Sequence, residues 1–94
     1  MERRGRRAPS MKITFKLFAS LTDYLPAQGR DGNVAEIEVE PSASVSQIIE
    51  SFGLPAKQVH LVLVNGRYID PAQRLTQTLV DGDALAIWPP IAGG

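Results

Sequence analysis

The chain lacks cysteine, carries a single histidine and a single tryptophan, and has a formal net charge of zero over 94 residues. Without cysteine there is no disulfide, no thiolate zinc site and no cysteine nucleophile. One histidine cannot build a metal site by itself. His60, inside the apolar run 59–64, either packs or faces solvent. No nucleophile-elbow motif is present to support Ser-His-Asp catalysis. No apolar run approaches the roughly 20 residues needed to span a bilayer. No apolar stretch follows the basic start that could act as a secretory signal. A cytoplasmic protein without membrane contact is the expectation. The length suits one small domain, and the balance of 44% hydrophobic to 21% charged residues is that of a globular chain.

The zero net charge hides an asymmetry. Arg3, Arg4, Arg6 and Arg7 all precede Met11, whereas from Met11 onward six Lys/Arg face nine Asp/Glu, a balance of −3. An acidic domain argues against nucleic acid as its ligand, because phosphate binding needs a basic surface. Residues 1–10 read as a flexible basic leader, or as an over-extended start with Met11 as the natural initiator.

Residues 12–18 alternate polar and apolar, the pattern of a half-buried strand with Ile13, Phe15 and Leu17 on one face. That parity sends Phe18 outward, an aromatic on the otherwise polar face. Pro26, Gly29, Gly32 and Asn33 make 19–33 mostly loop, with one helical turn through Leu21 and Leu25. Alternation returns in 34–40, with Ile37 and Val39 inward and Glu36, Glu38 and Glu40 in water, so the first two strands form a hairpin with a long loop. Ser44 and Gln47 compose a capping box for a helix whose apolar face is Val45, Ile48, Ile49 and Phe52, closed by Gly53 and Pro55. The β-branched run 59–64 predicts a central strand. Asn65-Gly66 is a tight hairpin turn, 67–69 a brief return strand stopped by Asp70-Pro71, and Leu75 and Leu79 lie on a loose turn. Asp81-Gly82-Asp83 turns the chain into a last strand, 84–88, with Leu85 and Ile87 inward and Ala84, Ala86 and Trp88 outward. The order β-β-α-β-β-β, with one helix across one face of a mixed sheet, is an α+β domain of β-grasp type over residues 11–88.

Beyond it lies Pro89-Pro90-Ile91-Ala92-Gly93-Gly94. The proline pair offers no N–H to a ladder and lifts the chain off the sheet on an extended path. The six residues 89–94 reach roughly 20 Å when extended. The segment has no charged side chain, and its last two residues have no side chain at all. Glycine admits close backbone approach, so such an arm suits delivery of a carboxylate into a partner's narrow site.

The stretch Leu63-Val64-Asn65-Gly66-Arg67, the turn Asp81-Gly82-Asp83 and the ending Trp88-Pro89-Pro90-Ile91-Ala92-Gly93-Gly94 together resemble the small sulfur-carrier subunit of molybdopterin synthase, within the ubiquitin-like superfamily that includes the thiamine-thiazole sulfur carrier. The Leu17-Phe18-Ala19 strand end also fits, and the resemblance runs over residues 11–94. It implies a sulfur carrier, not an enzyme. A ubiquitin-activating-type adenylyltransferase would use ATP to adenylate the Gly94 carboxylate, and a sulfur donor would convert it to a thiocarboxylate. The tail, Gly93 included, would then enter a molybdopterin synthase large subunit or equivalent sulfur acceptor. No cofactor is bound by the chain itself. By the same resemblance Phe18, Tyr68 and Trp88 form the partner-binding patch, with Pro89, Pro90, Ile91 and Ala92 entering the partner behind it. Arg67 and Arg74 are read as solvated charges. A thiazole-type or other pathway carrier, and a ubiquitin-like protein modifier, remain alternatives.

Overall fold

In β1 (Met11–Leu17) every second residue is buried, and Ile13, Phe15 and Leu17 are at most 1% exposed. The computed structural model describes residues 10–90. Two further strands follow, β2 (Arg30–Asp31) and β3 (Val34–Val39), and β3 pairs antiparallel with β1 from Met11↔Val39 to Lys16↔Val34. Ala35, Ile37 and Val39 are buried, whereas Glu36 and Glu38 are exposed. The two-residue β2 was not expected from the alternation, because two charged residues carry no apolar period. It exists because Gly32, at φ +65°, turns the chain tightly back onto β3. The helical turn expected near Leu21 and Leu25 is a 3₁₀ turn, Ala19–Tyr24, and both leucines are buried.

Helix α1 (Val45–Ser51) starts on the reciprocal cap read from the sequence. The Gln47 N–H donates to Ser44 Oγ at 3.1 Å, and the Ser44 N–H donates to Gln47 Oε1 at 2.9 Å. Its end is equally specified. Gly53 at φ +79° sends its N–H to Glu50 O, and Leu54 sends its N–H to Ile49 O, the paired bonds of a Schellman stop. The buried face Val45, Ile48 and Ile49 lies against the sheet, and the Phe52 ring meets Phe15 at 4.9 Å. Each such side chain contributes about 1.5–3 kcal/mol by leaving water.

The remaining elements are β4 (Leu61–Val64), β5 (Arg67–Tyr68), α2 (Pro71–Arg74) and β6 (Ala84–Trp88). The sheet runs β2-β3-β1-β6-β4-β5, with β1 and β6 parallel at its centre and the other neighbours antiparallel. This is the mixed sheet with α1 on one face that the sequence predicts. Three local expectations change. The run 59–64 yields a strand only from Leu61, because a 3₁₀ turn (Ala56–Gln58) occupies the approach, and His60 is exposed. Asp70-Pro71 does not merely stop a strand. Asp70 caps α2, with Pro71 opening the helix and Gln73 completing a second capping box. Leu79 is buried, whereas Leu75 is 69% exposed.

Candidate docking face at the base of the tail

The register lines up residues across the sheet face opposite α1. Lys16 lies beside Ala86, Ala86 beside Leu63, and Leu63 beside Tyr68. Two positions further along, Trp88 lies beside Leu61. Phe18 follows the last residue of β1, and its N–H donates to Ile87 O at 3.2 Å. The Phe18 and Trp88 rings stack with centroids 4.1 Å apart and planes 3° from parallel. Both are half-buried and neither ring is among the buried core residues. Tyr68 is 52% exposed on the same face. Ala86 is buried although it points outward, because its methyl cannot reach past Lys16 and Leu63 on either side.

The fold therefore brings Phe18 and Trp88 together and puts Tyr68 on their face, separated from them by the Leu63 and Ala86 positions. β6 ends at Trp88, where Pro89 is half-buried and Pro90 exposed. Ile91, Ala92, Gly93 and Gly94, and residues 1–9 of the basic leader, lie outside the described residues.

Two features were missed or misread in the sequence. Asn65 and Asp83, seen only as turn residues, bind one another: Asn65 Nδ2 donates to Asp83 Oδ1 at 2.8 Å, while Asn65 Oδ1 accepts from the Ala84 N–H at 2.9 Å. Asp83 Oδ2 also accepts from the Val80 N–H. Arg74 is not a solvated charge. It is buried, with Nε donating to Ile69 O at 3.0 Å and Nη2 to His60 O at 3.3 Å. The signal for it was the Asp70-Pro71-Ala72-Gln73 helix start, which turns position 74 back toward the sheet. Arg67 is exposed, as expected.

A groove of about 660 Å³ between β3 and α1, lined by Glu38, Glu40, Gln47 and Glu50, contains none of the residues expected to bind a partner. Among the described residues no group of His, Asp and Glu could hold a metal ion, and no helix is long and apolar enough to cross a membrane.

A family model described as Mut7-C ubiquitin matches residues 10–92. The chain belongs to the Mut7-C ubiquitin family. None of the curated proteins matches the sequence. Solved structures place the family's fold beside small ubiquitin-like proteins. A Pyrococcus furiosus protein assigned as molybdopterin converting factor subunit 1 is 25% identical, covering 86% of this chain and 99% of that one, with TM-score 0.60. SAMP1, a small archaeal modifier protein of Haloferax volcanii, is 23% identical over 88% and 99%, with TM-score 0.59. Subunit 1 of the Helicobacter pylori molybdopterin-converting factor, solved in complex with subunit 2, is 20% identical over 89% and 100%, with TM-score 0.52. This member of the Mut7-C ubiquitin family thus shares the ubiquitin-like fold of small carriers and modifiers.

Proposed function

We propose that this protein is a sulfur carrier whose working group is the Gly94 carboxylate, and that it donates sulfur in the synthesis of a molybdopterin-type cofactor. The observation that carries this reading is the Phe18–Trp88 stack, 4.1 Å between centroids, immediately before Pro89-Pro90. Rigid half-exposed aromatics at the root of an uncharged Gly-Gly arm suit a protein that docks by its sheet and reacts at its terminus. The Pyrococcus and Helicobacter likenesses support the pathway.

The chemistry divides between proteins. A free carboxylate is a poor electrophile. An activating adenylyltransferase joins it to AMP, releasing pyrophosphate, and the mixed anhydride then has a good leaving group. Sulfide displaces AMP to give the thiocarboxylate. A protein persulfide does the same once a second thiol cleaves the S–S bond of the acyl disulfide. The carrier contributes the reacting atom and two recognition features, the aromatic face and the slender tail. Its partners contribute the ATP site and the catalytic groups, much as a cofactor carries chemistry that another protein positions. The pterin-processing partner is a large subunit of the kind that accompanies the Helicobacter subunit 1.

The test is genetic. Cells carrying the chain without Gly94 should accumulate the sulfur-free pterin precursor and lose molybdenum or tungsten enzyme activity. Normal cofactor levels in that strain would sink the pathway assignment. The likeness to SAMP1 favours one second reading, a protein modifier joined to lysines through Gly94. High-mass conjugates that vanish with Gly94, with cofactor levels intact, would decide for it.

A further inference from the structure

Arg74 is a guanidinium more than nine-tenths buried whose recorded acceptors are two backbone carbonyls. Its position explains why. Leu61 lies opposite Trp88, so His60 and Pro89 come next along β4 and β6. Carbonyls along β4 face its two neighbours alternately: the Val62 carbonyl accepts from Ile69 on the β5 side, so the His60 carbonyl, two residues earlier, also faces that side and not β6. Arg74 Nη2 takes that carbonyl at 3.3 Å, while Nε takes Ile69 O at 3.0 Å. The Ile69 N–H is itself bonded to Val62 O at 3.0 Å, and the His60 N–H donates to Trp88 O at 3.0 Å. One side chain therefore ties the entry of β4 to the exit of β5, and through His60 it reaches the backbone of Trp88, whose ring stacks on Phe18.

We infer that Arg74 is a positioning residue: through the His60 peptide it fixes the Trp88 backbone and ring, and so sets where the tail leaves the docking face. The link to tail delivery rests on the proposed carrier function, whereas the link to Trp88 does not. Arginine suits the task because its planar fork offers several fixed donors and stays charged, and charge-assisted bonds to carbonyls are stronger than neutral ones. Lysine keeps the charge on a flexible stem with a single nitrogen, and cannot reproduce two divergent bonds from Nε and Nη2.

Trp88 is the chain's single tryptophan, so its fluorescence reads the site directly. The full chain, Arg74→Met, Arg74→Lys and the control Arg30→Met on β2 are compared. Folding is verified by amide exchange in β1 and β3. In both Arg74 variants acrylamide should quench Trp88 several-fold more strongly than in the parent chain, with the emission shifted to the red. In ATP–pyrophosphate exchange with the activating enzyme, KM for the chain should rise several-fold with kcat unchanged, the pattern of weakened docking with intact chemistry. Arg30→Met should change neither. Should Arg74→Met fail to fold, Arg74→Lys carries the same readings. Quenching identical to the parent in a folded Arg74 variant overturns the inference, as does altered quenching with an unchanged KM. A parent chain that is never adenylated defeats the carrier function instead, and the fluorescence still decides whether Arg74 holds Trp88.

Discussion

The Asn65 amide and the Asp83 carboxylate lie 2.8 Å apart across two turns separated by 18 residues. Asn65 has φ +52° and Gly66 φ +83°, the left-handed pair that a two-residue hairpin needs. Asparagine tolerates that backbone better than most residues, and here its side chain also binds Asp83 and the Ala84 N–H. Asn65→Gly keeps the backbone permitted and loses the side-chain bonds, costing about 1–2 kcal/mol. Asn65→Ala loses the bonds and adds left-handed strain of about 1–2 kcal/mol. Urea unfolding should rank the parent above Asn65→Gly and Asn65→Gly above Asn65→Ala. A reversed order of the two variants would refute the role of φ.

The proposed docking face separates stability from affinity. Tyr68 is 52% exposed, so Tyr68→Ala should leave unfolding within about 0.5 kcal/mol of the parent chain. Phe18→Ala removes a stacked partner and should cost about 0.5–1.5 kcal/mol beyond the area it uncovers. Both should weaken binding to the activating enzyme by more than about 1 kcal/mol, the level at which truncation of an interface anchor is felt. Calorimetric titration of each folded variant measures this. Unchanged affinity in both would mean that the partner docks elsewhere.

The cap of α1 predicts coupling. Ser44→Ala and Gln47→Ala each break a reciprocal box and should each cost about 1 kcal/mol. Because each side chain bonds to the other's backbone, the double variant should depart from the sum of the two single effects. Chemical denaturation of the three variants checks it. Neither change should alter affinity for the activating enzyme, since α1 lies across the other face of the sheet.

Phe15 is fully buried at the junction of β1 and α1, its ring 4.9 Å from that of Phe52. Phe15→Ala should cost about 3–5 kcal/mol. Phe52, half-buried at the helix end, should cost less on the same change. Thermal unfolding that finds the two equal would contradict the packing described.

Legibility in the sequence followed the physics of each signal. Period-two alternation named β1, β3 and β6 to within a residue or two because one face of each is buried. The Ser44–Gln47 box and Gly53 named both ends of α1 because a cap is a local interaction. The outward aromatics at 18 and 88 came from strand parity, while Tyr68 was tied to them only by family resemblance. Long-range bonds were not legible. The Asp70-Pro71 helix start turns position 74 toward the sheet, but nothing in the sequence names the Ile69 and His60 carbonyls as its acceptors, and nothing near Asn65 names Asp83 as its partner. β2 was invisible because Arg30–Asp31 pairs through a turn and buries no side chain. Leu75 and Leu79 share a residue type and differ in burial because the sequence between them has no period to assign a face.

The most direct measurement of the central claim is the intact mass of the chain after incubation with ATP, a sulfide donor and its activating enzyme. The account predicts a gain equal to the exchange of one oxygen for one sulfur, located in the C-terminal peptide and lost when Gly94 is deleted. An unchanged mass under conditions in which the enzyme consumes ATP on this chain would contradict it.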